Sequence, residues 1–229
     1  MVPRIPDIHL SNILVKLPSI FDDLSIEELY KKYGDLETIP ITRCDGEPLP
    51  QDSPAKATKS LFLGQNADKF TLSDAHPLLS DFGEAFSPAS ETLLGEDSHT
   101  PPGFRPPEAK FEPQSPLSFP SDIWSLATAI WEIVGVKRIF SNEYIPQDEV
   151  IAQHSYKINK WPPPEEWFEV ATRQWSRKEG LEIEKDEVAA FLDLMRRMLA
   201  YRPEDRLTAE EVLRSEWMVK WALPCYERQ

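Results

Sequence analysis

Three polar side chains of this sequence, Asp7, Asn12 and Asp81, are of types that could serve phosphoryl transfer together. Asp7 and Asn12 have an Asp-x-x-x-x-Asn spacing, and Asp81 opens the triplet Asp81-Phe82-Gly83. Phosphoryl transfer needs a carboxylate beside the attacking hydroxyl and oxygen ligands for the magnesium ions that bridge the phosphates. The first pattern alone is a weak indication and the second a moderate one, but their order along the chain favours this chemistry.

Three further motifs follow the triplet. Phe104-Arg105-Pro106-Pro107-Glu108 is similar to the segment that closes a kinase activation loop, with Pro in place of the family's Ala. Asp122-Ile123-Trp124-Ser125 resembles a buried helix of the kinase large lobe. Arg202-Pro203-Glu204-Asp205-Arg206-Leu207-Thr208 resembles the family's Arg-Pro-x-x-Arg-x-Thr signature. Taken in order, these motifs resemble the large, C-terminal lobe of a eukaryotic Ser/Thr protein kinase over residues 5–222.

The resemblance implies a role for each residue of the catalytic centre. Asp7 would be the catalytic base, and Asn12 and Asp81 would hold the magnesium ions. His9 stands where the family has a Lys that touches the transferred phosphate, so it is expected to bind the cofactor together with Asn12 and Asp81. ATP and Mg²⁺ are the implied cofactors.

The resemblance also implies structural roles for three charged residues. Arg206 is expected to pair with Glu108, as the second Arg of the signature pairs with the Glu of the Pro-Glu motif in the family. Asp122 is expected to bind the backbone of the catalytic loop. These contacts would hold the activation segment and the catalytic loop against the helical core.

The implied fold is mainly α, with short strands near the catalytic loop and the Asp-Phe-Gly turn. We expect a single partial kinase domain over residues 1–229, with a family-type insertion at 18–77 and an activation segment at 84–108. No Gly-rich phosphate loop and no Val-Ala-Ile-Lys strand precede Asp7 in this sequence. The expectation is therefore a large lobe without the N-terminal lobe.

Within the kinases, the chain is similar to the group that contains the cyclin-dependent and SR-protein kinases. The features that carry this similarity are the Phe104-Arg105 step, the long insertion before Asp81, and the stretch 207–224. The insertion resembles that of fungal relatives of the SR-protein kinases. The resemblance implies Arg/Ser-rich basic proteins as substrates, with which an acidic chain is compatible.

Two alternatives to an active kinase stay open. Ile5-Pro6 replaces the family's His-Arg before the catalytic Asp, and Pro6 restricts the backbone there. The chain could thus be an inactive pseudokinase that binds basic partners without phosphorylating them. It could also be a product that folds poorly, because a large lobe alone would expose apolar surface.

Local patterns predict the elements that position these residues. Short strands are expected at 13–17 and 78–80, and a capping box at Ser25 predicts a helix that stops at Gly34. The segment 37–57 shows no strand or helix period and is expected to be extended. Apolar spacing predicts a buried helix at 121–135 and an amphipathic helix at 186–200, and a second capping box at Thr208 predicts a last helix. The run Trp161-Pro162-Pro163-Pro164 is expected to form a surface loop.

Composition narrows the class of protein. A net charge of −14 over 229 residues disfavours a phosphate-binding surface, so direct contact with nucleic acid is not expected. Two distant cysteines, no signal peptide and no long apolar run indicate an intracellular protein, in the cytoplasm or nucleus, without membrane contact. A monomer with basic protein partners is expected. The histidines form no metal-ligand spacing, and all but His9 are expected at the surface: His76, His99 and His154.

Overall fold

The computed structural model of the chain contains two compact units, Met1–Leu14 with Pro77–Gln229 and Val15–His76. The structure describes residues 7–17, 21–64, 66, 69–135, 138–140 and 184–227. Ile5-Pro6, His154 and the run Trp161–Pro164 lie outside the described residues. The unit Val15–His76 covers nearly the same stretch as the insertion expected at 18–77. The domain boundaries themselves stay a prediction.

The smaller unit begins with helix α1, Ile26–Tyr33. The Ser25 hydroxyl accepts from the Glu28 backbone N–H, and the Glu28 carboxylate accepts from the Ser25 N–H, so the predicted capping box is confirmed. Gly34 ends the helix with a φ of 90°, a backbone conformation that glycine adopts without strain. The local sequence therefore marks both ends of this helix.

The smaller unit also contains a two-stranded antiparallel sheet, β2 (Thr38–Pro40) with β3 (Lys56–Thr58). The segment 37–57 was expected to be extended, and these exposed strands agree with that expectation, although their pairing was not predicted. The strands are three residues long and mostly exposed, so no alternation of apolar and polar side chains marks them. A 3-10 turn, Leu72–Asp74, is capped by Thr71.

The catalytic-loop segment of the larger unit forms a 3-10 turn, Leu10–Asn12, followed by strand β1, Ile13–Val15. Strand β1 pairs with β4, Pro77–Leu79, which leads directly to the Asp-Phe-Gly triplet. The two predicted short strands are confirmed. Their pairing brings the end of the catalytic loop beside the start of the triplet.

Two helices dominate the core of the larger unit, α3 (Phe119–Gly135) and α4 (Lys185–Met198). Both confirm predicted helices. Trp131 of α3 packs against Phe191 of α4 with ring centroids 6.0 Å apart, and Phe191 meets Trp217 edge to face at 5.3 Å. Such aromatic packing contributes beyond the apolar area that it buries. The mainly helical character expected of a kinase large lobe is thus present in the described residues.

Short elements complete this unit. Between the triplet and α3 lie a 3-10 turn, Gly95–Asp97, and helix α2, Glu108–Phe111. After α4 come a 3-10 turn and three helical segments, of which the first starts at the predicted Thr208 capping box. Their bounds are Pro203–Asp205, α5 at Ala209–Leu213, a π-helical turn at Met218–Ala222, and α6 at Leu223–Glu227. None of the helices in the described residues is both long and apolar enough to cross a membrane.

Candidate active site

Asn12 closes the segment 7–12, the expected catalytic loop, on itself. It is only 7% exposed, and its side-chain Nδ2 donates to the backbone carbonyl of Asp7 at 3.0 Å. The Asn12 backbone N–H donates to the carbonyl of His9 at 2.9 Å. Since the amide nitrogen is used in this way, the amide oxygen Oδ1 is the Asn12 atom left for a metal ion.

A second pair of hydrogen bonds ties Asn12 to the residue before Asp81. The carbonyl oxygen of Asn12 accepts from the Ser80 backbone N–H at 2.8 Å and from the Ser80 hydroxyl at 3.0 Å. Asp81 follows with a φ of 57°, a left-handed conformation that only Gly, Asn and Asp adopt with any frequency. The two residues predicted to hold magnesium are therefore brought together through the backbone of Ser80.

The donor set at Asn12 and Asp81 fits magnesium. Mg²⁺ prefers oxygen ligands and is held by one or two carboxylates together with substrate phosphates and water, not by a complete protein cage. Asp81 is exposed, and its carboxylate forms no hydrogen bond or ion pair with a described residue. No group of three or more His, Cys, Asp or Glu side chains that could enclose a metal occurs in the part of the chain that the structure describes.

Asp7 combines a buried carboxylate with an unused acceptor. Its side chain is 13% exposed, and its Oδ1 is buried without a hydrogen-bond partner among the described residues. An unsatisfied buried acceptor is costly, and a substrate hydroxyl would satisfy it.

A cavity of about 30 Å³ lies beside Asp7. Its polar lining comes from the activation segment and the start of α3, with Ser98, Thr100, Ser121, Asp122 and Ser125 among the side chains. Burial, and then the negative charge of Asp7, raise the pKa of Asp122 to about 8. Asp122 therefore lies close enough to Asp7 to feel its charge. The backbone segment that Asp122 is expected to bind extends outside the described residues, so that contact stays a prediction.

Arg105 is a charged neighbour of Asp7 that sequence reasoning treated only as part of a motif. Its Nε donates to the carbonyl of Thr100 at 2.9 Å. Burial lowers the pKa of the Arg105 guanidinium, and the charge of Asp7 opposes that shift. The sequence shows the motif Phe104-Arg105, but a motif does not tell where the Arg105 side chain lies in the fold.

His9 is buried at 8% exposure, with its imidazole against Asp7 and Phe104. Its predicted contact with a transferred phosphate stays a prediction. Of the other histidines, His76 and His99 are exposed, as expected. The ring of His99 contacts the Glu84 carboxylate at 2.8 Å.

Arg206 and Glu108 form the ion pair that the sequence motifs predict. Arg206 Nη1 donates to Glu108 Oε1 at 2.8 Å, and Nη2 donates to Oε2 at 2.6 Å. The three remaining N–H groups of Arg206 donate to backbone carbonyls at Ala200, Pro120 and Tyr201. All five guanidinium donors are satisfied in a site where the Arg206 side chain has no exposed area. The pair therefore anchors the end of the activation segment to the start of α3.

A scan against protein-family models matches residues 70–218 to the protein kinase domain. No curated protein matches the chain significantly. The matched range includes Asp81, Glu108, Asp122 and Arg206, whereas Asp7, His9 and Asn12 precede it. Since the match covers more than half of the sequence, the chain belongs to the protein kinase family.

Proposed function

We propose that this chain forms the large-lobe side of a Ser/Thr protein kinase active site similar to that of the SR-protein kinases, with basic Arg/Ser-rich proteins as substrates. The observation that carries the proposal is the bonded constellation of Asp7, Asn12, Ser80 and Asp81. The Asn12 side chain donates to the backbone carbonyl of Asp7, and the backbone carbonyl of Asn12 accepts from Ser80, the residue before Asp81, over distances of 2.8–3.0 Å. These bonds hold together the backbone segments that carry the two carboxylates and the amide oxygen. Phosphoryl transfer depends on such positioning more than on covalent chemistry.

Each residue has a defined part in this mechanism. The Asp7 carboxylate accepts the proton of the substrate hydroxyl as the hydroxyl oxygen bonds to the terminal phosphorus of ATP, and the bond from that phosphorus to ADP breaks. Asn12 Oδ1 and the Asp81 carboxylate would hold magnesium, which would supply positive charge for the phosphate oxygens. Arg105 adds a positive charge near Asp7.

Support for the SR-protein-kinase-like class comes from sequence features and charge. The Phe104-Arg105 step and the long insertion before Asp81 are shared with that class, and the net charge of −14 would attract Arg-rich segments. Basic proteins are the partner class that this charge favours.

The first experiment is thermal unfolding of the full chain with and without Mg-ATP, beside Asp81→Asn. Nucleotide at 100 times its Kd should stabilise the wild-type chain by about 2.7 kcal/mol. Asp81→Asn should abolish the shift, because it removes the magnesium-binding charge. It should leave the melting temperature without nucleotide nearly unchanged, since Asn also adopts a positive φ. A wild-type melting temperature that Mg-ATP does not change would contradict the proposed metal site.

Transfer of labelled phosphate to an Arg/Ser peptide then tests the catalytic role. Transfer by the wild-type chain that is lost in Asp7→Asn would assign Asp7 as the base, because Asn keeps the size of the side chain but cannot accept the proton. Binding of the peptide without any transfer would favour the pseudokinase alternative.

A further inference from the structure

We propose that His9 is a positioning residue that holds the Asp7 carboxylate in place, and that it does not contact the transferred phosphate. The inference rests on the proposed function of Asp7 as the base. It deepens that function by assigning a second residue to the same step.

The contact between the two side chains is direct. His9 Nε2 lies 3.5 Å from Asp7 Oδ2, and the two side chains are 10% and 13% exposed. Charge and dipole interactions are weakly screened where water is largely excluded. The contact therefore restricts rotation of the Asp7 carboxylate more than a surface contact of the same length would.

His9 is itself held by an aromatic stack. Its ring lies 5.3 Å from the ring of Phe104, at an interplanar angle of 23°, and Phe104 is 5% exposed. The Arg138 guanidinium lies 5.3 Å from the same Phe104 ring, and Arg138 Nε donates to Glu132 at 3.1 Å. A series of contacts thus runs from α3 through Phe104 to His9 and ends at Asp7.

The two ring nitrogens of His9 argue against a phosphate contact. Nδ1 is buried and has no hydrogen-bond partner among the described residues, and Nε2 is the atom beside Asp7. A phosphate oxygen would therefore have to reach the ring either at the buried Nδ1 or at the Nε2 that already contacts Asp7. The contact at Oδ2 leaves Asp7 Oδ1 without a hydrogen-bond partner among the described residues.

The first test measures the carboxyl ¹³C resonance of Asp7 in the full, labelled chain, assigned with Asp7→Asn. His9→Ala should shift this resonance, and His9→Gln, whose amide can still donate to the carboxylate, should restore most of the change. His76→Ala is the matched control, because His76 is exposed, and it should have no effect. An Asp7 resonance that His9→Ala leaves unchanged would overturn the proposal. This measurement does not depend on kinase activity, so it separates failure of the inference from failure of the proposed function.

The second test compares kcat with the KM for ATP in the peptide assay. A positioning role predicts that His9→Ala lowers kcat roughly tenfold, a fraction of what general-base catalysis contributes, and leaves the KM for ATP unchanged. His9→Gln should recover much of kcat. A raised KM for ATP with kcat unchanged would instead assign His9 to the phosphate and refute the inference.

Discussion

At the scale of single residues, the candidate site contains charged side chains that lie close enough to influence one another. Asp7 and Asp122 are both carboxylates on one small cavity, and the nearby Arg105 adds a positive charge. The spacing of residues in the sequence suggested roles for Asp7 and Asp122 but not their mutual influence. That influence arises from the way the loop and helix α3 fold together, which no local pattern records.

Asp122→Asn tests the buried carboxylate. The folded-state pKa of Asp122 is raised from its ordinary 3.8 to about 8, so between these values the folded chain holds a proton that the unfolded chain has released. The stabilisation that results from the raised pKa of Asp122 is complete below pH 3.8, and it is lost as the pH rises through 8. Asp122 lowers the free energy of unfolding by at most about 1.4 kcal/mol for each unit of pH in this range.

The free energy of unfolding, measured by denaturant titration between pH 5 and 8, should therefore fall less steeply in Asp122→Asn than in the wild-type chain. Asp23→Asn, at an exposed position, is the control and should keep the wild-type slope. Parallel pH profiles for Asp122→Asn and the wild-type chain would refute the raised pKa.

Arg206→Ala tests the buried ion pair. Removal of one partner leaves the Glu108 charge buried and unpaired, and such changes cost about 3–5 kcal/mol. Arg202 is the matched control in the same motif, because its side chain is 74% exposed and pairs with Glu204 at 3.7 Å. Arg202→Ala should cost less than about 1 kcal/mol. Equal costs for the two variants, measured by denaturant titration, would contradict the assignment.

At the scale of elements, the sequence predicted best those features that depend on neighbouring residues. The capping boxes at Ser25 and Thr208 and the helices that follow them are present because their hydrogen bonds span only three residues. The segment of β2 and β3 was expected to be extended, but their pairing was not predicted because no alternation of apolar and polar side chains marks it. The burial of His9 against Phe104 was missed because the two residues are far apart in the sequence.

Gly95→Ala tests how the activation segment packs on α2. A Cβ at Gly95 would lie 2.7 Å from both the Cα and the carbonyl oxygen of Ala109, and neither backbone atom can rotate away. We expect a loss of about 1–3 kcal/mol in the free energy of unfolding, as for other overpacked sites. Glu96→Ala, in the same turn but exposed, should change the stability little. A Gly95→Ala chain as stable as wild type would show that the two segments separate easily.

At the scale of the whole molecule, charge is the property that favours one class of partner. With a net charge of −14, the chain should attract Arg-rich peptides over long distances. The chain divides into two compact units, and the match to the protein kinase domain begins at residue 70, within the unit Val15–His76.

Binding of an Arg/Ser peptide should therefore weaken as salt rises, because the Debye length shortens from about 30 Å at 0.01 M to about 8 Å at 0.15 M. A Glu/Ser peptide of equal length should not bind at either salt concentration. Fluorescence anisotropy with both peptides measures this difference. Salt-independent binding of the Arg/Ser peptide would mean that recognition does not depend on the overall charge.

The Glu108–Arg206 pair also has a kinetic consequence. It joins residues that are 98 positions apart, and closing a loop of that length costs about 4 kcal/mol of chain entropy. Contacts of this range tend to form after the local helices, late in folding. We therefore expect the pair to slow unfolding more than it speeds folding, because it stabilises the native state more than the transition state. Stopped-flow kinetics of Arg206→Ala would show this as faster unfolding with a nearly unchanged folding rate.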